Sequence, residues 1–181
     1  MKRAVLSAVL SFAALAAVTA GAAQASERDK KFFRSIEGAW VGPGEIIAGK
    51  YKGTKFVCNF AGSTPDKKLG MTLDGGCRVG MFTQKMSATV EQSSRAGYKG
   101  IFMDGAKGAG LDIVSGNVVD GQKIVLAINR NQLQGVMQAR LPDGETMTVT
   151  VSVKVEDSMV PVIGMNLKRV DGSAVGSIAK R

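Results

Sequence analysis

Between Glu145 and Val155 the chain alternates without a break. Met147, Val149, Val151, Val153 and Val155 fall on one side of an extended segment, and Thr148, Thr150, Ser152 and Lys154 on the other. A period of two puts successive side chains on opposite faces of a sheet, so this segment can bury one face and wet the other. The period recurs in Phe56, Cys58 and Phe60, in Leu69, Met71 and Leu73, in Cys77, Val79 and Met81, in Met86, Ala88 and Val90, and in Ile163, Met165 and Leu167. Tyr98, Gly100 and Phe102 form a shorter instance. Asp74-Gly75-Gly76, Asp120-Gly121 and Pro142-Asp143-Gly144 have turn chemistry and separate such runs. Around them, 111–119 pairs with 123–129 as a hairpin, 134–141 leads to the Pro-Asp-Gly turn, and 161–170 is the last strand. The expectation is nine or ten short strands. Consecutive hairpins favour antiparallel, up-and-down pairing, and a long antiparallel sheet removes its edges by closing. The predicted fold is all-β: one antiparallel up-and-down β-barrel of about 8–10 strands, in a single domain over 26–170. A two-sheet β-sandwich satisfies the same period and stands as the alternative.

Two segments fall outside that pattern. Residues 26–35 suit a short helix, with Ser26 as cap, Phe32, Phe33 and Ile36 facing inward, and Gly38 ending it before Ala39-Trp40-Val41 turns extended. At the N-terminus, basic Lys2-Arg3 precedes an apolar run from Ala4 to Ala20, and Ala23-Gln24-Ala25 is a small-x-small cleavage site. Residues 1–25 therefore read as a secretory signal peptide cleaved after Ala25, which predicts a periplasmic or secreted protein. Lys2 and Arg3 leave with it, so the formal charge falls from +9 to +7. No later apolar run approaches the roughly 18 residues that a membrane helix needs, and short mixed strands with a polar, basic end argue against an outer-membrane barrel, so the protein is not expected to span a membrane. Residues 171–181 are small, polar and basic, and are expected to be a flexible tail.

The compartment changes how the two cysteines read. Cys58 and Cys77 are an even, minimal set, most simply one disulfide in an oxidising space. Closing that loop stabilises the fold by roughly 3 kcal/mol on the chain-entropy argument. The rival, a redox or metal-binding pair, lacks a C-x-x-C spacing, and the chain has no histidine to complete a site. The missing histidine also excludes Ser-His-Asp and Cys-His catalysis, His-based zinc sites and proximal-His haem. The carboxylates Asp112, Asp120, Asp143 and Glu145 fall mostly at turns, where Asp serves the backbone, and suggest no acid pair. No catalytic residue, metal site or cofactor is expected.

Gly38-Ala39-Trp40, opening the first strand after a short helix, resembles the Gly-x-Trp start of lipocalins and their calycin relatives, which are small antiparallel barrels. The resemblance implies that Trp40 closes one end of the barrel and that a basic residue near the last strand, Lys168 or Arg169, packs across it. Trp40 also suits a plain core aromatic at a strand start. A narrower likeness is to small periplasmic barrels that inhibit secreted bacterial metalloproteases. It implies an N-terminal segment, here Ser26 and Glu27, that enters the protease cleft. This chain is longer, and its N-terminal segment is helix-like rather than extended.

Lys50, Lys52 and Lys55 gather with Tyr51 near the first hairpin, and Lys67-Lys68 follow at the next turn. They form a candidate anion-binding surface for an envelope component, or else a solvated face whose edge lysines resist aggregation. No aromatic ladder accompanies the charge, so nucleic acid is not an expected partner. Gly105–Gly110, with Lys107, precedes a strand rather than a helix, which makes it an inter-strand loop rather than a phosphate loop. The methionines are dispersed, several in the apolar phase of strands, as core filling or an adaptable cavity lining requires and a copper site does not. The leading expectation is a non-enzymatic, calycin-like binding protein that takes a small apolar or amphipathic ligand or an envelope component. The alternatives are a protease inhibitor acting through its N-terminal segment and an envelope structural or stress protein without ligand.

Overall fold

The structure, a computed structural model, describes residues 27–93, 97–103 and 110–170. The expected signal peptide, Ser26, residues 105–109 of the glycine-rich loop and the tail from 171 lie outside the described residues. Helix α1 (residues 27–34) precedes ten strands. These are β1 (Gly38–Ile46), β2 (Lys55–Ser63), β3 (Gly70–Val79), β4 (Phe82–Ser93), β5 (Gly97–Met103), β6 (Leu111–Val119), β7 (Lys123–Arg130), β8 (Leu133–Arg140), β9 (Thr146–Val155) and β10 (Ser158–Val170). Each strand pairs antiparallel with the next, and β10 returns to β1 with Trp40 opposite Arg169, so the sheet closes into an up-and-down barrel. The sandwich alternative is excluded, because every strand has two hydrogen-bonded neighbours in one closed ladder.

The alternation seen in the sequence becomes inside and outside. On β9, Met147, Val149 and Val151 are buried inside, while Thr148, Thr150 and Ser152 are more exposed. Val153 and Val155, in the same phase, lose burial as the strand runs out past the end of the core. Phe32, Phe33 and Ile36 of the helical segment are each 1% exposed. They join Trp40, Phe60 and Leu167 in one continuous core.

One local expectation fails. Asp74-Gly75-Gly76 is not a turn. It lies within β3, paired with Asn59–Ala61 on one side and Lys85–Ser87 on the other. Ladder hydrogen bonds on both edges hold the backbone extended there, outweighing the local turn preference. The reversal comes instead at Gly80-Met81, between the paired residues Val79 and Phe82. Gly80 has φ +57°, which the first central position of a two-residue primed turn requires. Met81, expected in the apolar phase of a strand, is consequently 93% exposed on that turn. The last strand also begins earlier than expected, at Ser158, with a bulge between Pro161 and Ile163 where proline has no N–H for the ladder.

Successive connections alternate between the two ends of such a barrel. One end, here the closed end, carries α1, the start of β1, the end of β10 and the β2–β3, β4–β5, β6–β7 and β8–β9 connections. The other, the rim, carries the β1–β2, β3–β4, β5–β6, β7–β8 and β9–β10 connections.

Candidate functional site

The closed end is built around Trp40 and Arg169. Trp40 is fully buried, and its Nε1–H donates to the Ile36 carbonyl at 2.7 Å, which satisfies the indole where no water reaches. The Arg169 guanidinium lies over the indole, 4.4 Å from its centroid. From there Nη2 donates to the Ser35 carbonyl at 2.7 Å, Nε donates to Gly144 O at 2.9 Å, and Nη1 donates to Glu37 O. Ser35 and Glu37 lie just past the last turn of α1, where carbonyls lack intrahelical partners and a cation is favoured by the helix dipole. One planar fork thus ties the end of α1, the β8–β9 turn and the buried indole together. The Glu145 carboxylate approaches Nε at 3.7 Å but is 72% exposed, so it adds little. Of the two expected closure residues the structure places Arg169 on Trp40. Lys168, one residue away, points outward and is exposed.

Two contacts at this end were not legible in the sequence. Tyr98, 2% exposed, donates its hydroxyl to Asp29 Oδ2 of α1 at 2.8 Å and packs edge-on against Phe33. Burial, then the hydrogen bond and charge of Asp29, hold the Tyr98 phenol well above the ordinary tyrosine range. Arg28 lies 3.5 Å from the other Asp29 oxygen and balances its charge. Gly62 lets β2 approach α1, since a Cβ there would stand 2.1 Å from the Ile36 carbonyl oxygen. The isolated cue in the sequence was a polar-tipped aromatic in an apolar strand phase, and it could not name a partner 69 residues away.

Above this floor the barrel encloses a cavity of about 350 Å³. Its wall is apolar apart from the amide of Gln84. Phe56, Phe60 and Phe102 contribute rings, and Met71, Met86, Met137, Met147 and Met165 contribute flexible thioethers. Ile36 and Leu167 line it near the floor. Val79 and Gln84 line it at the rim and are themselves exposed, so the cavity reaches the rim end. The Cys58–Cys77 disulfide joins directly opposed residues of β2 and β3 and faces inward, with Cys58 fully buried and Cys77 on the cavity wall. Cys58 Sγ lies 3.7 Å from Met165 Sδ. An oxidised cysteine carries no proton, so this is sulfur packing and not a hydrogen bond. Besides stapling two strands, the bridge fixes a stretch of cavity wall.

The five lysines of the candidate anion surface do not meet. Lys50, Lys52 and Lys55 are exposed at the rim, on and beside the β1–β2 connection. Lys67 and Lys68 are exposed at the closed end, on the β2–β3 connection, where Lys68 pairs with Glu91 at 2.6 Å. Neighbours in sequence across β2 are separated by the length of that strand, roughly 30 Å for nine extended residues. Glu27, the described residue of the segment likened to an inhibitor's, opens α1 and lies 3.8 Å from Lys30. It belongs to a helix docked on the barrel, not to an extended strand.

A closed ten-strand up-and-down barrel with a short N-terminal helix is consistent with a calycin-like fold. No family model matches this chain, and no curated protein matches it.

Proposed function

We propose that this protein is a non-enzymatic binding protein that holds the apolar body of a small or amphipathic ligand inside the barrel. The observation that carries the proposal is the cavity itself: about 350 Å³ of space, walled by apolar side chains with a single amide near the mouth. Pockets that hold small molecules run from about 300 to 1,000 Å³ and pair a mainly apolar wall with few polar groups. Five methionines in the wall suit a site that adapts to chain-like ligands of variable shape. The leader-like N-terminal sequence supports work outside the inner membrane. The apolar interior and polar outer face of β9 support a water-facing barrel, the inverse of a transmembrane one.

The experiment is native mass spectrometry of the exported protein, followed by uptake of a fluorescent fatty acid. A retained lipid-sized adduct, or saturable uptake that an unlabelled fatty acid displaces, is the expected result. Ala88→Phe with Ala139→Phe fills the cavity from two walls and should abolish uptake while the fold survives. An empty spectrum together with no saturable uptake would overturn the proposal. Uptake unaffected in the folded filled variant would place the ligand elsewhere and overturn it too.

A further inference from the structure

We propose that the rim end is a docking surface for a bilayer with anionic headgroups, entered by the β3–β4 hairpin. Met81 and Phe82 are 93% and 80% exposed at the hairpin tip. Neither lines the cavity, and the reversal itself is made by Gly80, so the turn does not require them. They are not isolated. Ile47, Tyr51, Leu133 and Met159 are also exposed large apolar residues at rim connections, whereas among the described residues Val119 alone is such a residue beside a closed-end turn. An apolar cluster of this kind on one end of a barrel marks an interaction site.

Charge identifies the partner. The ion pairs Arg28–Asp29, Lys30–Glu27, Lys68–Glu91 and Arg169–Glu145 all lie at the closed end. Lys52, Lys55, Arg78 and Lys85, exposed at the rim, take part in no ion pair among the described residues. Lys50 beside them lies over the Tyr51 ring, 5.5 Å from its centroid, and takes part in no ion pair among the described residues. β2 pairs with β3, so the β1–β2 lysines and the β3–β4 hairpin occupy adjoining arcs of the rim. Lys85 stands three residues behind Phe82, roughly 10 Å along the strands, and Arg78, level with Thr83, stands one residue behind Phe82 on a side chain long enough to reach back toward the same depth. An interfacial element buries its apolar tip about 5–10 Å into the headgroup boundary, which leaves these cations at the phosphates. Glu156 and Asp157, on the β9–β10 tip, are repelled by the same surface and tilt the approach onto the β1–β4 side. Val79 belongs both to this hairpin and to the cavity wall, so a docked barrel would face its mouth toward the lipid. That last step rests on the interior-ligand reading. Docking itself does not.

The test is flotation of the exported protein with vesicles of mixed phosphatidylglycerol and phosphatidylcholine, against vesicles of phosphatidylcholine alone. Every variant is exported by the same route as its parent, so the two begin at the same N-terminus. Binding is expected to the anionic vesicles, and to be lost near 1 M salt, where the Debye length falls to about 3 Å. Met81→Ser with Phe82→Ser should weaken it at least about tenfold, by loss of the buried tip. Lys52→Ser and Lys55→Ser should each weaken it roughly fivefold. Trp40 fluorescence confirms that each variant is folded. Should the tip variant not fold, the two lysine variants, whose side chains lie outside the core, carry the test. Fatty-acid uptake is expected to persist in all of them, which keeps docking separate from interior binding. Parent protein that ignores anionic vesicles, or folded variants that float as the parent does, would overturn the proposal. In the second case the rim would serve another partner, such as a protein.

Discussion

Arg169→Ala should be among the most destabilising single changes outside the apolar core. Truncation removes three donors from the carbonyls of Ser35, Glu37 and Gly144 and uncovers the Trp40 ring. A hydrogen bond from a charged donor contributes about 1.5–3 kcal/mol, and a cation over an indole about 1–2 kcal/mol. These terms share one side chain and do not add. The Arg169 side chain is also 26% exposed, so water recovers part of the loss. An effect of about 3–4 kcal/mol remains, which lowers the melting temperature by about 10 °C in a domain of this size. The assay is urea unfolding followed by fluorescence of Trp40, the chain's one tryptophan. Arg169→Lys keeps the charge but not the planar fork, and should lose about half as much. A double-mutant cycle with Trp40→Phe should show coupling of about 1 kcal/mol. Lys168→Ala, on the exposed neighbour, should change stability by less than about 0.5 kcal/mol. If Arg169→Ala costs under about 1 kcal/mol with an unchanged denaturant slope, the guanidinium is not what holds α1 to the barrel and the account of the closed end fails.

Replacing both cysteines, Cys58→Ala with Cys77→Ala, should cost about 3 kcal/mol in urea unfolding, the loop-closure term for a separation of 19 residues. A reducing agent should move the parent's midpoint and leave the variant's unchanged; a parent indifferent to reductant would contradict a structural bridge. Tyr98 predicts an alkaline limit. Its phenol is held neutral in the fold and ionises freely once unfolded, so its contribution is intact below about pH 10 and declines as pH rises through the ordinary tyrosine range. Tyr98→Phe loses the Asp29 hydrogen bond at neutral pH, about 1–2 kcal/mol, and should flatten the decline above pH 10 relative to the parent. Parallel stability curves for the two proteins between pH 8 and 11 would refute that assignment.

The fold was legible because alternation is a local signal repeated along nearly the whole chain. On β9 five apolar residues in phase specify a buried face without reference to any partner strand. Closure came from a weaker argument, that a long meander seeks to lose its edges, and the Trp40–Arg169 register makes it concrete. What failed were the places where a neighbouring strand outvotes local chemistry. Asp74-Gly75-Gly76 has the composition of a turn, yet partners on both sides keep it in β3. Displacing the turn by a few residues moved Met81 from an expected core position to the outermost point of a hairpin. The lysines failed for a topological reason, since residues close in sequence on either side of one strand stand at opposite ends of a meander barrel. Tyr98–Asp29 could not be read at all, because pairing across the barrel floor leaves no periodic trace.

The up-and-down topology also explains why the two ends differ so sharply. The chain enters and leaves the barrel at the same end, because ten strands are an even number and β1 pairs with β10. The entering helix and the departing strand are therefore close enough for Arg169 to reach past β1 to Ser35 and Glu37. Long-range polar ties such as Tyr98–Asp29, Lys68–Glu91 and the Arg169 fork gather there, while at the rim Arg130 Nε donates to the Gly110 carbonyl at 2.7 Å. Among the described residues the rim carries strand connections, where turns such as β3–β4 and β7–β8 use a residue with positive φ, Gly80 and Asn131 respectively. At the β1–β2 and β3–β4 connections Met81 and Phe82 lie outside the core, and Lys52, Lys55, Arg78 and Lys85 take part in no ion pair among the described residues. A substitution that destabilises at the closed end should thus leave vesicle binding intact in the folded fraction, and one that abolishes binding at the rim should leave stability intact. The separation follows from strand parity, and a single variant at the hairpin tip that lost both together would contradict it.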